Sequence, residues 1–532
     1  MDRRKFVNTT LASALMLQEP AANAQSSRTQ AFELDEKTID ELGSMMQRGS
    51  HTARRLVELY LARIEATNRK GPALGAVIET DPDALAVADA LDRERKQKGA
   101  RGPLHGIPVL IKDNVGTADH THTSAGSLAL ENWTPAEDAF LIQRLRAAGA
   151  VILGKANMSE WAYWRASRAV SGWSARGGQA RNPFALDRNP SGSSGGSGVA
   201  VSGNLCAAAV GSDTGGSITY PSSANGVVGI RPTLGLISRG GVIPVSETQD
   251  TAGPMARTVR DAAILLGGMT GVDPKDKATQ ASAGKSFTDY TQFLKPGGLR
   301  GARIVVAREF FGVHPGTDRV IEGCLDLLKK EGAVLIDETV RLGTGPYQRD
   351  MMEVLTYDFK PNINDYLSQL PAKFPVRSLA DLIAFNEKHK DREMPYFGQD
   401  LLQRSLDRGP RSEKRYQDAR AKCLRLGKTE GIDAVLAMHN ASAIVAPSLT
   451  PAFLTDWVAG DGFSSACTIP ACVSGYPHIT VPAGFVRGLP VGLSFFGAAW
   501  SEPVLLKLAY GFESVSKARR KPAFAPTVDF AS

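Results

Sequence analysis

Ser191-Gly192-Ser193-Ser194-Gly195-Gly196-Ser197-Gly198, followed by Gly211-Ser212-Asp213-Thr214-Gly215-Gly216-Ser217-Ile218, is the stretch that decides how this 532-residue chain is read. An isolated Ser/Gly run reads as a flexible linker. Here Val199-Ala200-Val201 follows the first half and Leu205 to Val210 leads into the second, so the run is embedded in apolar chain. Glycines let a backbone approach a ligand closely, and Ser217, after two glycines and before an isoleucine, is the candidate nucleophile. A serine hydroxyl needs a base to take its proton, and a lysine serves only if burial holds it neutral. Upstream, Val109-Leu110-Ile111-Lys112-Asp113-Asn114 sets a lysine directly after an apolar run. Taken alone, Lys112 would read as a surface lysine. Consecutive amides of Thr214, Gly215, Gly216 and Ser217 are the candidate oxyanion donors, worth on the order of 3 kcal/mol per well-placed donor.

These segments resemble the signature of the amidase-signature serine hydrolases. The likeness runs from Gly102-Pro103-Leu104-His105-Gly106-Ile107-Pro108 into Lys112-Asp113-Asn114, then through both Ser/Gly segments to Pro221. It continues through Gly226-Val227-Val228-Gly229-Ile230-Arg231-Pro232-Thr233, Asp250-Thr251-Ala252-Gly253-Pro254-Met255-Ala256-Arg257, Gly475-Tyr476-Pro477 and Gly488-Leu489-Pro490-Val491-Gly492-Leu493. Within that family it is most similar to bacterial peptide amidases, by Ser159-Glu160-Trp161-Ala162, Ser171 to Gln179 and Ala499-Trp500-Ser501-Glu502-Pro503. The resemblance implies a catalytic triad of Lys112, Ser193 and Ser217, with Ser193 held across a cis peptide bond, and the four oxyanion donors at the positions already singled out. By likeness only, Ser159, Trp161, Trp173, Ser174 and Trp500 are substrate-channel candidates. The implied activity is hydrolysis of a primary carboxamide to acid and ammonia through an acyl-enzyme, with peptide C-terminal amides as the preferred substrate. Smaller aliphatic, aryl or acylated amides are the first alternative, the glutaminase subunit of an amidotransferase the second, and a catalytically inactive binding protein on the same scaffold the third.

The implied fold is an α/β amidase-signature fold, a large twisted mixed β-sheet covered by helices on both faces, over a single domain at 25–532. The local pattern agrees. Thr38-Ile39-Asp40-Glu41 is a capping box that opens a helix, and Leu56, Leu59, Tyr60 and Ile64 recur at helical spacing. Val77-Ile78, Val109 to Ile111 and Val151 to Gly154 are short apolar runs bounded by turn residues, as strands are. Helical patterns at Asp83 to Lys98 and around Ile142 to Ala148 separate them, which favours a mixed or parallel sheet with helices on both faces. Thr279 to Gly301 reads as a surface connector, and Arg303 to Ala307, Thr317 to Lys330 and Ala333 to Ile336 as a βαβ-like unit. Residues of about 347–431 read as mainly helical, a covering region over the catalytic face in this fold. Ala443 to Pro447 and His478 to Pro482 return the chain to the sheet.

Rival motifs are weaker. Gly192-Ser193-Ser194-Gly195-Gly196 fits G-x-S-x-G, but Asn182 to Pro190 is no preceding core strand. The same glycines lack the Gly-Lys-Ser/Thr end of a phosphate loop. His120 and His122 have no companions at metal-ligand spacing and read as surface histidines; no metal and no cofactor is expected. Asp213 reads as an anchor for the nucleophile loop, and Asp113 and Asn114 as groups orienting the end of the Lys112 strand.

Composition is ordinary for a globular protein, at 42% apolar and 22% charged. The net charge of +7 is scattered and comes with no nucleic-acid recognition motif. The expected form is a monomer acting on a small-molecule or peptide amide, with no nucleic-acid partner and no membrane association after export. Of the five cysteines, Cys206 lies among Leu205, Ala207, Ala208 and Ala209 and reads as a packed hydrophobe; Cys467 and Cys472 are near enough in sequence to pair. Asp2-Arg3-Arg4-Lys5-Phe6, the apolar Val7 to Leu17 and Ala22-Asn23-Ala24 form a twin-arginine-type signal at 1–24, too short and polar to span a bilayer, which takes ~20 apolar residues. The expected location is periplasmic. Mass spectrometry of the protein from that compartment should therefore find a terminus near Gln25 in place of an intact Met1.

Overall fold

The apolar runs bounded by turn residues are strands of one sheet. The computed structural model describes residues 32–337, 342, 345, 347–463 and 466–530; the expected export signal lies outside them. In chain order the strands are β1 (Val77–Thr80), β2 (Pro108–Lys112), β3 (Val151–Ala156), β4 (Trp173–Ser174), β5 (Gly178–Gln179), β6 (Ala208–Asp213), β7 (Val228–Arg231), β8 (Thr251–Ala256), β9 (Arg303–Val306), β10 (Val334–Ile336), β11 (Ala443–Pro447), β12 (His478–Val486) and β13 (Leu489–Phe496). Among the described residues, eleven of them form a mixed sheet in the order β1-β3-β2-β6-β8-β7-β12-β13-β11-β9-β10, and β4 pairs with β5 apart from it. β3, β2 and β6 run parallel, as do β11, β9 and β10, with antiparallel pairs between them. β9 and β10, joined by the helix Pro315–Lys330, form the expected βαβ unit.

Alternation along the strands builds two cores, because successive side chains point to opposite faces. Ile304, Val306, Val445, Leu493 and Phe495 join the large core shared with Val109, Ile111, Ala208 and Val210 and with the helices Val259–Met269 and Glu502–Ser516. Val305, Ile444, Ala446 and Phe496 point the other way, into a cluster with Cys467, Ala471 and Tyr476. The capping box is formed as the sequence implies, with Thr38 Oγ1 accepting from the Glu41 N–H and the Glu41 carboxylate accepting from the Thr38 N–H.

Helices Gln348–Ser368, Leu379–Lys388 and Asp400–Leu406 fill the region read as helical and bury a third cluster. In it Phe359, Ile363, Leu382 and Leu402 meet Leu130, Met158, Trp161 and Ile243, so these helices pack on the loops that leave the carboxyl ends of β2 and β3. All five cysteines are free and buried, so the Cys467–Cys472 pairing is not formed, and Cys206 sits in the large core.

One helix was not legible. Gly195–Ser202 is α-helical and every residue in it is buried, although glycine costs about 1 kcal/mol per position against alanine in a helix. Close approach explains it. A Cβ on Gly196 would lie 2.3 Å from the Asn157 carbonyl oxygen, and one on Gly198 3.1 Å from Asn225 Nδ2 and the Pro221 carbonyl. In the neighbouring strand β3, Gly154 has φ +147° and a Cβ there would sit 2.1 Å from the Glu79 carbonyl oxygen, across the β1–β3 pair. Gly154→Ala should lower the thermal unfolding midpoint by several degrees, a cost of about 2 kcal/mol or more, measurable by circular dichroism melts.

Candidate functional site

Two neighbouring parallel strands end side by side. β2 ends on Lys112 and β6 on Ser212-Asp213, with Ile111 paired to Val210, and both strands are wholly buried. Ligands of α/β sheets gather beyond such carboxyl ends. Lys112 has no exposed surface. Its Nζ lies 2.7 Å from Ser193 Oγ, 2.9 Å from Ser212 Oγ and 3.2 Å from the Ser212 carbonyl oxygen. Burial takes the Lys112 ammonium down to about 7, against the pull of the Asp213 and Asp250 charges in the other direction. Asn114 Nδ2 donates to Ser212 Oγ at 3.0 Å, so Asn114 does orient the strand end, through Ser212. Asp113 holds the turn behind it, accepting from the Gly126 N–H at 2.9 Å and from Arg176 at 3.2 Å.

Ser193 follows a cis peptide bond from Gly192. Its carbonyl accepts from the Ser159 N–H at 3.0 Å, and Gly192 is packed so closely that a Cβ there would lie 2.3 Å from Ser159 Oγ and 3.0 Å from Ser171 Oγ. The loop that carries Ser217 is fastened alongside, the Ser194 N–H donating to the Ser217 carbonyl at 3.1 Å. Ser217 is half-buried, and its hydroxyl makes no hydrogen bond to another described residue. The structure thus joins Lys112 to Ser193 directly and brings Ser217 beside them through the backbone.

Asp213 is the anchor the sequence suggested. Its carboxylate accepts from the N–H groups of Gly216 (2.9 Å) and Ile218 (2.7 Å) and from Arg231 Nη1 (2.6 Å). Burial alone would raise this carboxyl; Arg231 and the two amides outweigh it and hold it below the ordinary carboxylate range. The Gly216 N–H is therefore already taken by Asp213. Among the described residues, the N–H groups of Thr214, Gly215 and Ser217 meet no protein acceptor, and these three are the donors open to a substrate oxygen. Thr214 is fixed from behind, its hydroxyl donating to Asp250 at 2.6 Å. Burial pushes the Asp250 carboxyl up to about 6. A cavity of about 260 Å³ lined by Asn114, Ser212, Thr214, Ile243, Asp250 and Tyr366 opens beside this loop.

The channel candidates divide. Ser159 lies against Gly192, its Oγ accepting from the Gly172 N–H at 2.9 Å. Trp173 is one step out, buried against Phe397 with ring centroids 5.1 Å apart. Trp161 is buried in the helical cluster. Ser174 spends its hydroxyl on Asn157 (2.8 Å) and on the Gly177 N–H (2.9 Å), a supporting contact. Trp500 is placed elsewhere: its ring lies under Lys285 at 4.8 Å, its backbone N–H donates to Thr233 Oγ1, and it packs against the large core. His120 and His122 pair with Asp83 and Glu79, and among the described residues no group of three or more His, Cys, Asp or Glu could hold a metal.

Sequence reasoning missed Ser212 and a second buried lysine. The signal for Ser212 was its place at the end of β6, the strand that pairs with β2. Lys155, whose ammonium burial takes down to about 8, donates to the Val115 carbonyl (2.6 Å) and Thr123 Oγ1 (2.9 Å). Burial alone therefore does not distinguish the two lysines; Lys112 differs in meeting the hydroxyls of Ser193 and Ser212.

Comparison with known proteins gives the family. The family described as Amidase matches residues 55–506. A protein described as "Probable amidase" from Arabidopsis thaliana is 40% identical over 523 residues, covering 97% of this chain and 96% of that one. The solved structure of the native peptide amidase from Stenotrophomonas maltophilia is similar at 45% identity and a TM-score of 0.88, over 93% of this chain and 100% of that one. A glutamyl-tRNA(Gln) amidotransferase component from Alkalilimnicola ehrlichii is 34% identical over 497 residues, 92% of this chain and 99% of that one. With most of its length matched and its sheet and flanking helices in common with solved members, the chain belongs to the amidase family, hydrolases of the amide C–N bond.

Proposed function

We propose that the protein deamidates peptide C-terminal amides in the periplasm, through Lys112, Ser193 and Ser217. The observation that carries the chemistry is the 2.7 Å contact of a wholly buried amine with a serine hydroxyl beside the Gly216-Ser217 turn. A neutral amine has two N–H groups and one lone pair. With the N–H groups on Ser212 Oγ and the Ser212 carbonyl, the lone pair faces Ser193 Oγ. Ser193 gives its proton to Lys112 and takes that of Ser217, whose oxygen bonds to the carboxamide carbon. The amides of Thr214, Gly215 and Ser217 receive the oxyanion. The relay then returns the proton to the nitrogen as the C–N bond breaks, ammonia leaves, and water hydrolyses the ester by the same path. The Ser193 to Ser217 link is the one that substrate must tighten, as such hydrogen bonds do in reacting complexes. The peptide preference rests on the likeness to the Stenotrophomonas maltophilia enzyme, and the location on the amino-terminal motif.

Ammonia release from peptide amides, simple amides and glutamine tests the reading, which expects peptide amides to be turned over best; glutamine as best substrate would favour the amidotransferase alternative. Ser217→Ala should lower turnover by about 10⁴-fold or more with an unchanged circular dichroism spectrum.

The neutral amine is the working form, so kcat/KM should climb as pH rises through about 7 and level off above it. Lys112→Ala should remove that limb and cost roughly 10²–10⁴-fold.

Asp213→Asn breaks a buried ion pair with Arg231, a change that costs about 3–5 kcal/mol, and, with one carboxylate oxygen replaced by an NH2 group, leaves one of the Gly216 and Ile218 amides without its acceptor. A lower denaturation midpoint together with a lower kcat is expected.

A further inference from the structure

The segment 451–463 is tied down at its base and apolar at its crest. The Phe453 carbonyl accepts from the Asn189 N–H at 2.8 Å, and the Thr455 N–H donates to the Asp187 carbonyl at 3.2 Å. Asp461 accepts from the Ser171 N–H at 2.9 Å. Asn189 in turn accepts from the Ser191 N–H and donates to the Ser171 carbonyl. The segment is thereby fastened to the chain that runs into Gly192-Ser193.

Its crest is unlike ordinary surface. Leu454 is 51% exposed, Val458 89% and Phe463 42%, and Tyr396 of the neighbouring helical region, at 49%, stacks on Trp457 with centroids 4.0 Å apart and planes 28° from parallel. Scattered exposed apolar residues need no explanation, but a contiguous patch at a site does.

Two aromatic runs connect this crest to the reacting groups. From the nucleophile loop, a Cβ on Gly216 would lie 2.4 Å from the Tyr220 ring; Tyr220 meets Phe463 at 5.7 Å, and Phe463 meets Phe453 at 5.1 Å. From the other side, Ser171 Oγ abuts Gly192, and two residues on Trp173 meets Tyr396 at 5.8 Å, which stacks on Trp457. Both runs end on the one segment, one starting beside Gly192 and the other beside Gly216. Trp173 is held in place by Arg165, whose guanidinium lies 4.8 Å from its ring and 4.3 Å from Phe397. The charged residues of the segment, Asp456 and Asp461, are both acidic.

We infer that Trp457 and Phe463, braced by Tyr396 and Tyr220, form the acyl-side subsite, and that it selects an aromatic or large apolar side chain on the residue that bears the carboxamide. This rests on the peptide-amide reading above and narrows it. Rings with exposed faces offer large area at little cost in side-chain freedom, whereas an acidic acyl residue would meet the exposed Asp456 carboxylate.

The test compares kcat/KM for N-acetylphenylalanine amide and N-acetylglycine amide, by ammonia release, in the unaltered enzyme and in Trp457→Ala and Phe463→Ala. The unaltered enzyme should prefer the phenylalanine amide. In each variant the ratio of the two kcat/KM values should fall at least tenfold, chiefly through KM, and Trp457→Phe should restore most of it. A ratio unchanged within twofold, or equal losses on both substrates, overturns the subsite while leaving the peptide-amide reading standing. No ammonia from either substrate with the unaltered enzyme overturns that reading, and the subsite with it.

Discussion

The site depends on an amine that cannot reach water. Lys112 stands at the end of a fully buried strand with three oxygen neighbours and no salt-bridge partner within bonding distance. An ammonium there would lose its hydration without a counterion at contact, which is why burial is the largest influence on it. Asp213 and Asp250 are near enough to oppose the loss and not near enough to cancel it. Each is committed elsewhere: Asp213 to Arg231 and two amides, Asp250 to Thr214 and the N–H groups of Val245 and Ser246. The carboxylates that could have made Lys112 a permanent cation instead shape the nucleophile loop.

The same constraint explains the composition around the site. A lysine tip can meet a serine 81 residues away only if the backbone carrying that serine lies almost on the sheet. That demands residues with little or no side chain. Gly192 lies against Ser159, Gly196 against the Asn157 backbone, and Gly211 against Ser194, where a Cβ would come within 2.9 Å of its Oγ. Packing at this density holds a helix of glycine, serine, alanine and valine that intrinsic propensity would not sustain. Local disfavour at a functional site, offset by tertiary contact, is the expected pattern.

That conflict marks where the sequence could be read and where it could not. Buried strands such as Val109 to Ile111, Val151 to Gly154 and Ala443 to Pro447 are apolar runs with turn residues at both ends, and helices such as Ile39–Gln47 carry their own caps, so local chemistry and fold agree. Gly195–Ser202 hides because its reason for being helical lies in other segments. The hairpin of β12 and β13 carries prolines and glycines that look like breaks, with Pro482 beside a register shift in the pairing. Lys112 and Ser193 were legible only through family likeness, since nothing local brings residues so distant in sequence to 2.7 Å. Trp500 shows the limit of likeness, because a motif match carries no direction and its ring turns toward Lys285.

The helical layer needs a different attachment, since it covers polar loops that apolar packing alone cannot orient. Arg165 supplies it from a position with no exposed surface, bonded at 2.7 Å to Glu160 in the wall and lying 3.7 Å from Glu393 in the layer, between the rings of Trp173 and Phe397. Glu393 also accepts from the Ser127 hydroxyl and the Leu128 N–H. One guanidinium cannot neutralise two buried carboxylates, so burial drives the Glu160 carboxyl far upward, and Glu393 is raised for the same reason. A buried cluster of this kind contributes little net stability compared with apolar packing, but it tolerates few geometries. It also fixes Trp173, whose ring meets Tyr396 at 5.8 Å, against the helical layer.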